Sequence, residues 1–179
     1  HFVWNYYCDW YVEFIKPVMA DSEETRRVAA YVLHQTLHLL SPFMPFITEE
    51  LNAKLFGHDK MLMIANWPDA AAGASANTGI STVIDIISEI RTMRSEMNVP
   101  LSAKPILLIR GVSDEQRGII DAMTLPLLRL ARLGGVSYHD GDFEKGTART
   151  SLQGMDMGLP LTGILDFEAE RTRWKKELA

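Results

Sequence analysis

Hydrophobic and polar positions are arranged at helical spacing from the first residues of the chain. Val3, Tyr7, Trp10 and Phe14 form one apolar stripe, and Trp4, Cys8, Tyr11 and Ile15 a second. Steps of four, three and four keep each stripe on one helix face. A polar line, Asn5, Asp9, Glu13 and Lys16, runs beside them. A helix that is apolar around most of its circumference has to be covered on most sides, so the pattern predicts the central helix of a bundle. Pro17 predicts its end. The pattern is already running at His1-Phe2 without an N-cap, which implies a piece of a longer protein.

Asp21 and Glu24 have capping-box spacing, and a second helix is expected over Ser22 to Leu40. Its buried face reads as Val28, Val32, Leu33, Thr36, Leu37 and Leu40. The opposite side carries Arg27, Tyr31, His34 and His38, a cation, a ring and donors on one line. That side reads either as an RNA-facing strip or as a partly solvated face packed on a neighbour. His34 and His38 also have the i, i+4 spacing of metal ligands. No glutamate follows His34 and no third ligand is near in sequence, so no metal site is expected. Pro42 and Pro45 break the second helix and suit the first turn of a third, whose apolar face is Phe43, Phe46, Ile47, Leu51 and Leu55. Glu49 and Glu50, adjacent on a helix, do not face each other and read as first-turn carboxylates rather than a catalytic pair.

Met61 to Trp67 reads as a short extended segment, and Asp69 to Thr78, rich in Ala, Gly, Ser and Asn, as a linker. A fourth helix is expected over Ile80 to Met97, with Ile80, Val83, Ile84, Ile87 and Ile90 toward the core. Arg91 and Arg94 follow on an adjacent face, positioned either to meet RNA phosphates or to pair with neighbouring protein. The period changes at Pro100. Strands are expected at 106–110, 136–139, 147–152 and 155–161, with helices at 114–123 and 125–133; such a mixture predicts a small α/β subdomain. Asp166 then caps a last helix.

Composition narrows the function classes. The 179 residues are 47% hydrophobic, enough for a substantial core. A net charge of −5 argues against non-specific nucleic-acid binding, DNA included, while leaving a local RNA-binding patch open. One cysteine allows no internal disulfide and points to a reducing, cytoplasmic setting. No apolar run is long enough to span a membrane, and no signal peptide is visible. Neither G-x-G-x-x-G nor G-x-x-x-x-G-K-[ST] occurs, so no phosphate-binding loop is expected.

Four segments carry a family resemblance. FVWNYYCDWYVEFIKP resembles the F-x-W-x-x-F-C-D-W-Y-x-E-x-x-K-P pattern of the valyl-tRNA synthetases, matching at Phe2, Trp4, Cys8, Asp9, Trp10, Tyr11, Glu13, Lys16 and Pro17. SPFMPFITEELN is similar to H-P-x-M-P-F-I-T-E-E-L-W, with Ser41 and Asn52 departing from it. IRTMRSEMNVPLSAK resembles I-R-x-x-R-x-E-x-x-V-x-P-x-x-K at Arg91, Arg94, Glu96, Pro100 and Lys104. LDFEAERTRWKKEL resembles the start of that family's C-terminal coiled-coil arm.

The resemblance implies a mainly α fold with three parts. These are a partial helical-bundle anticodon-binding domain over 1–99, a small α/β subdomain over 100–165, and the beginning of the arm over 166–179. It implies a valine-specific tRNA as partner, and a parent valine–tRNA ligase that is a monomer using ATP and magnesium. This part, lacking the catalytic and editing domains, is expected to hold no cofactor and to be inactive alone. Lys16, Met19, Arg27, Tyr31, Arg91 and Arg94 are the candidate tRNA-binding residues. Two alternatives stand beside this reading. One is an isoleucyl-tRNA synthetase fragment, disfavoured because that family's terminal zinc module needs more cysteines than Cys8. The other is a non-enzymatic helical protein-interaction module, whose mark would be an exposed apolar patch.

Overall fold

The computed structural model describes residues 1–57, 61–69 and 78–164. The chain divides into two compact units, residues 1–76 and 77–179. It is mainly helical, with one small mixed sheet. The expected linker residues 70–77 and the expected helix from Asp166 lie outside the described residues.

Unit 1 begins with a π-helical segment, Val3–Tyr11, continuous with α1, Val12–Met19. At their junction the Val12 N–H bonds the Tyr7 carbonyl, five residues back, the mark of the wider helix. Two expectations change here. No residue from Val3 to Met19 is buried, because α2 covers one side of α1 while Trp4 and Tyr6 stay exposed. Nor does the helix stop before Pro17: the missing N–H removes one bond, and the helix continues to Met19.

The second helix, α2, spans Glu23–Leu40. Its N-cap is Ser22, one residue beyond the expected Asp21. Ser22 is extended (φ −119°, ψ 111°), and its Oγ accepts the Thr25 N–H at 3.1 Å and the Thr25 hydroxyl at 2.9 Å. α3, Pro45–Phe56, packs back on α2, with Phe56 against His34 at 4.9 Å between ring centroids. Its amphipathicity is reversed from expectation. Thr48 and Asn52 are buried, whereas Phe43, Phe46, Ile47, Leu51 and Leu55 are all exposed. The physical reason is local. Thr48 returns its hydroxyl to the carbonyls of Met44 (2.9 Å) and Pro45 (3.1 Å), so this polar side chain is satisfied within its own turn and can be buried. After α3, the segment from Met61 is extended except for a single 3₁₀ turn, Leu62–Ile64. Glu49 holds that turn by accepting the N–H groups of Leu62 (3.1 Å) and Met63 (2.9 Å).

Unit 2 contains α4 (Thr78–Glu96), β1 (Ile106–Arg110), α5 (Asp114–Ala122), α6 (Thr124–Ala131), β2 (Gly135–Tyr138), β3 (Thr147–Leu152) and β4 (Met155–Pro160). The sheet order is β2-β1-β4-β3, with β1 and β2 parallel and the other pairs antiparallel. A parallel pair cannot be joined by a tight turn, and α5 and α6 supply the crossover. Leu107 and Ile109 of β1 alternate with outward residues, as do Met155, Met157 and Leu159 of β4. Val83, Ile86, Ile87 and Ile90 of α4 are fully buried and α4 packs on α5, α6 and β3. Of the apolar face expected for α4, Val83, Ile87 and Ile90 are buried, Ile84 is half-buried and Ile80 is exposed.

Candidate functional site

In unit 1 the predicted residues cluster around the α1–α2 corner. Lys16 is exposed on the last turns of α1 and pairs with Glu13. Met19 ends α1 with its side chain partly exposed. Its carbonyl and that of Ala20 accept Arg26 Nη1 at 2.9 and 2.7 Å. A cation on helix C-terminal carbonyls meets both their unpaired lone pairs and the negative end of the helix dipole. Arg26 therefore fixes the corner, a role that sequence reading missed because Arg26 lies outside the four-three-four line of Arg27 and Tyr31. Arg27 pairs with Glu23 at 2.6 Å on the exposed side of α2, and Tyr31, one turn on, is 62% exposed. Lys16 and Arg27 thus each carry a carboxylate partner, and Tyr31 offers an open ring.

His34 and His38 follow on the same helix, with ring centroids 4.8 Å apart in an edge-on arrangement. His38 is buried and neither ring nitrogen has a hydrogen-bond partner. No group of three or more His, Cys, Asp or Glu side chains is placed to hold a metal ion among the described residues.

Arg91 and Arg94 belong to unit 2, near the C-terminal end of α4. Arg91 Nε donates to the Leu130 carbonyl at 3.1 Å. Arg94 is 6% exposed and donates to three carbonyls: Arg132 at 3.2 Å, Pro100 at 3.1 Å and Ala103 at 3.0 Å. Burial, and then the nearby Arg132 charge, lower its pKa from the usual arginine value. Arg132 ends α6 in the left-handed conformation (φ 54°) and donates to the Leu101 carbonyl at 3.3 Å. The R-x-x-R spacing therefore ties the end of α4 to the end of α6 and to the turn around Pro100, and Arg132 joins the pair without any motif to announce it.

The outward face of the sheet holds a second polar group that the sequence did not single out. Arg110 pairs with Asp156 (2.9 Å) and Asp142 (2.6 Å) and lies 5.2 Å from the Phe143 ring centroid. Arg149 lies over the same ring at 5.7 Å. Bonds from Ser151 and then Arg110 hold the Asp156 carboxyl below the usual carboxylate range. Strand register brings these residues together, since Arg110 and Ser151 both pair with Asp156 across β4.

Comparison with known proteins supplies what geometry alone does not. The chain is 39% identical over 188 residues to a valine–tRNA ligase of Rhizorhabdus wittichii, covering 99% of this chain and 21% of that protein. It is 40% identical over 190 residues to one of Caulobacter vibrioides, with 99% and 21% coverage. With one of Nitrobacter winogradskyi it shares 35% identity over 213 residues, with 99% and 22% coverage. The chain thus spans about a fifth of the length of these relatives. Residues 1–109 match the family model described as the anticodon-binding domain of tRNA ligase. That match takes in unit 1, all of α4 and most of β1, and on it the chain belongs to the anticodon-binding domain family of tRNA ligases.

Proposed function

We propose that the chain is the tRNA-binding, anticodon-side part of a valine–tRNA ligase, the aminoacyl-tRNA synthetase that attaches valine to its tRNA in protein biosynthesis. The observation that carries this reading is the family match over residues 1–109. Relatives named valine–tRNA ligase, aligned along nearly the whole chain, favour valine over the isoleucine alternative. In this reading residues 1–99 belong to the anticodon-binding domain, residues 100–165 to the small α/β subdomain, and residues 166–179 begin a coiled-coil arm. The tRNA is met by Lys16, Met19, Arg27 and Tyr31 on unit 1 and by the Arg91 and Arg94 segment on unit 2. Lys16 and Arg27 exchange their carboxylate partners for phosphates, and Met19 and Tyr31 offer surface to unstacked bases. The parent enzyme is a cytoplasmic monomer that uses ATP and magnesium. In this reading ATP and magnesium belong to the catalytic part of that enzyme.

The test is titration of this chain with valine tRNA and with the same tRNA carrying a substituted anticodon, followed by fluorescence anisotropy. The native anticodon should bind more tightly. Lys16→Ala should weaken binding and lower the salt slope by about one phosphate contact. Equal affinity for both tRNAs, unchanged by Lys16→Ala, would overturn the reading. One observation favours a second role, contact with further protein: Phe43 is 82% exposed and Phe46 91% exposed on one corner of unit 1.

A further inference from the structure

The turn between α1 and α2 consists of Ala20, Asp21 and Ser22. The Val18 carbonyl closes it by accepting the N–H groups of Asp21 (3.3 Å) and Ser22 (3.1 Å). The carbonyls of Met19 and Ala20, at the end of α1, are met by a side chain. Arg26, one turn into α2, reaches back so that a single nitrogen, Nη1, donates to both, at 2.9 and 2.7 Å. Lys16 and Arg27 pair with carboxylates of their own helices, Glu13 and Glu23. Arg26 bridges from one helix to the other.

The last carbonyls of a helix have no N–H partner ahead of them, and the last turn frays when nothing holds it. Arg26, Met19 and Ala20 are all exposed, so water replaces these bonds when they break and the bridge contributes little to global stability. What it fixes is direction. It sets the path of the chain at Met19 relative to α2, and with it the place of the Met19 side chain. That side chain is long and unbranched. A contact made by such a group gains affinity when the backbone beneath it is already held.

We propose that Arg26 is a positioning residue for anticodon discrimination: it touches neither base nor phosphate, and acts by holding the end of α1 so that Met19 meets an unstacked base. The inference rests on the tRNA reading above. It divides the work of the α1–α2 corner, with Lys16 meeting the RNA backbone, Met19 the base, and Arg26 the protein backbone between them.

The experiment compares the whole chain with Arg26→Leu, Met19→Ala and the double variant. Each is titrated with valine tRNA and with the same tRNA carrying a substituted anticodon, by anisotropy over a salt series. The methionine methyl signals are followed by NMR without tRNA. Arg26→Leu should keep the circular dichroism and melting of the wild type while moving the Met19 methyl signal. It should weaken binding of the native tRNA about fivefold, the scale of one immobilised side chain. It should weaken the substituted tRNA less and leave the salt slope unchanged. In the Met19→Ala background the same change should have no further effect, since the two residues act as one unit. A salt slope lowered by about one would make Arg26 a phosphate ligand and overturn the inference. Additive effects of the two substitutions, an unmoved Met19 signal or an unchanged native affinity would overturn it as well. Loss of helical signal in Arg26→Leu would reduce Arg26 to a structural tie. If the wild type binds both tRNAs equally and the Met19 signal still moves, the tRNA reading falls, and the anticodon role of Arg26 with it, while the hold of Arg26 on Met19 stands.

Discussion

Arg94 and Asp156 show how differently charged residues contribute in this protein. The Arg94 guanidinium ties together carbonyls from two stretches of chain, Pro100–Ala103 and Arg132. Removing a donor from partly buried carbonyls costs more than the bond itself contributes, because the acceptors lose their partner without regaining water. Arg94→Met should therefore lower stability by about 1–3 kcal/mol, read as a fall in urea midpoint at unchanged slope. An effect within experimental error would show the carbonyls to be satisfied otherwise. Asp156 acts through pH. Its carboxyl is held below its usual range by Ser151 and Arg110, so the folded state favours the ionised form. That contribution is fully present above the unfolded pKa of about 4 and is lost as pH falls through the lower folded value. The melting temperatures of the wild type and Asp156→Asn should therefore differ at pH 7 and converge in acid; a gap that stays constant down to pH 2 would assign the effect to something other than this ionisation. The exposed pairs Arg27–Glu23 and Lys54–Glu50 should contribute little, since surface pairs are screened by water.

At the scale of elements, the cap of α2 gives a sharp test. Ser22, not Asp21, is extended and accepts the Thr25 N–H. Ser22→Ala should cost about 1 kcal/mol of stability, whereas Asp21→Ala should change it by a few tenths at most. The opposite ranking would restore the one-residue-earlier cap that D-x-x-E spacing suggests. Much of unit 2 was legible in this way. Strand positions 106–110 and 147–152 agree with the sequence reading, because alternation and flanking glycines are local signals. Val83, Ile87 and Ile90 were placed on the buried side of α4 by periodicity alone. The face of α3 was not legible. Its apolar residues have the expected spacing, but Thr48 satisfies its hydroxyl within its own turn, so the polar side is buried and Phe46 faces out. Periodicity finds a face; it does not say which neighbour meets it. The group of arginines joining the ends of α4 and α6 was half legible, through Arg91 and Arg94. Arg132 enters it because α6 ends in a left-handed residue, and nothing in the local sequence marks arginine for that conformation.

Across the whole molecule the two units are held by different means. Unit 2 has a fully buried apolar centre, including Ile86, Ile87, Ile90, Leu107, Ile109, Met155, Met157 and Leu159. Among the described residues of unit 1, the buried apolar side chains are Leu37 and Leu62, and they sit with the polar Thr36, His38, Thr48 and Asn52. Burying apolar area is the main favourable term in folding. A seam of polar side chains with two buried leucines offsets less of the conformational entropy of ordering three helices. The exposed rings of Phe43 and Phe46 then contribute little to the stability of unit 1 as it stands. Two measurements follow from this contrast. In hydrogen exchange of the whole chain, amides of α4, β1 and β4 should be the slowest, and those of α2 and α3 should exchange through openings of lower free energy. Replacing Phe43 and Phe46 together with serine should leave the slow amides unchanged and move stability by no more than about 0.5 kcal/mol. It should also reduce binding of an apolar dye such as anilinonaphthalene sulfonate, because both rings are exposed. Protection in α2 and α3 equal to that in α4, or a large loss of stability on removing the two rings, would mean that the outward face of α3 is covered in solution, and the account of unit 1 as a polar-seamed layer with an open apolar face would fall.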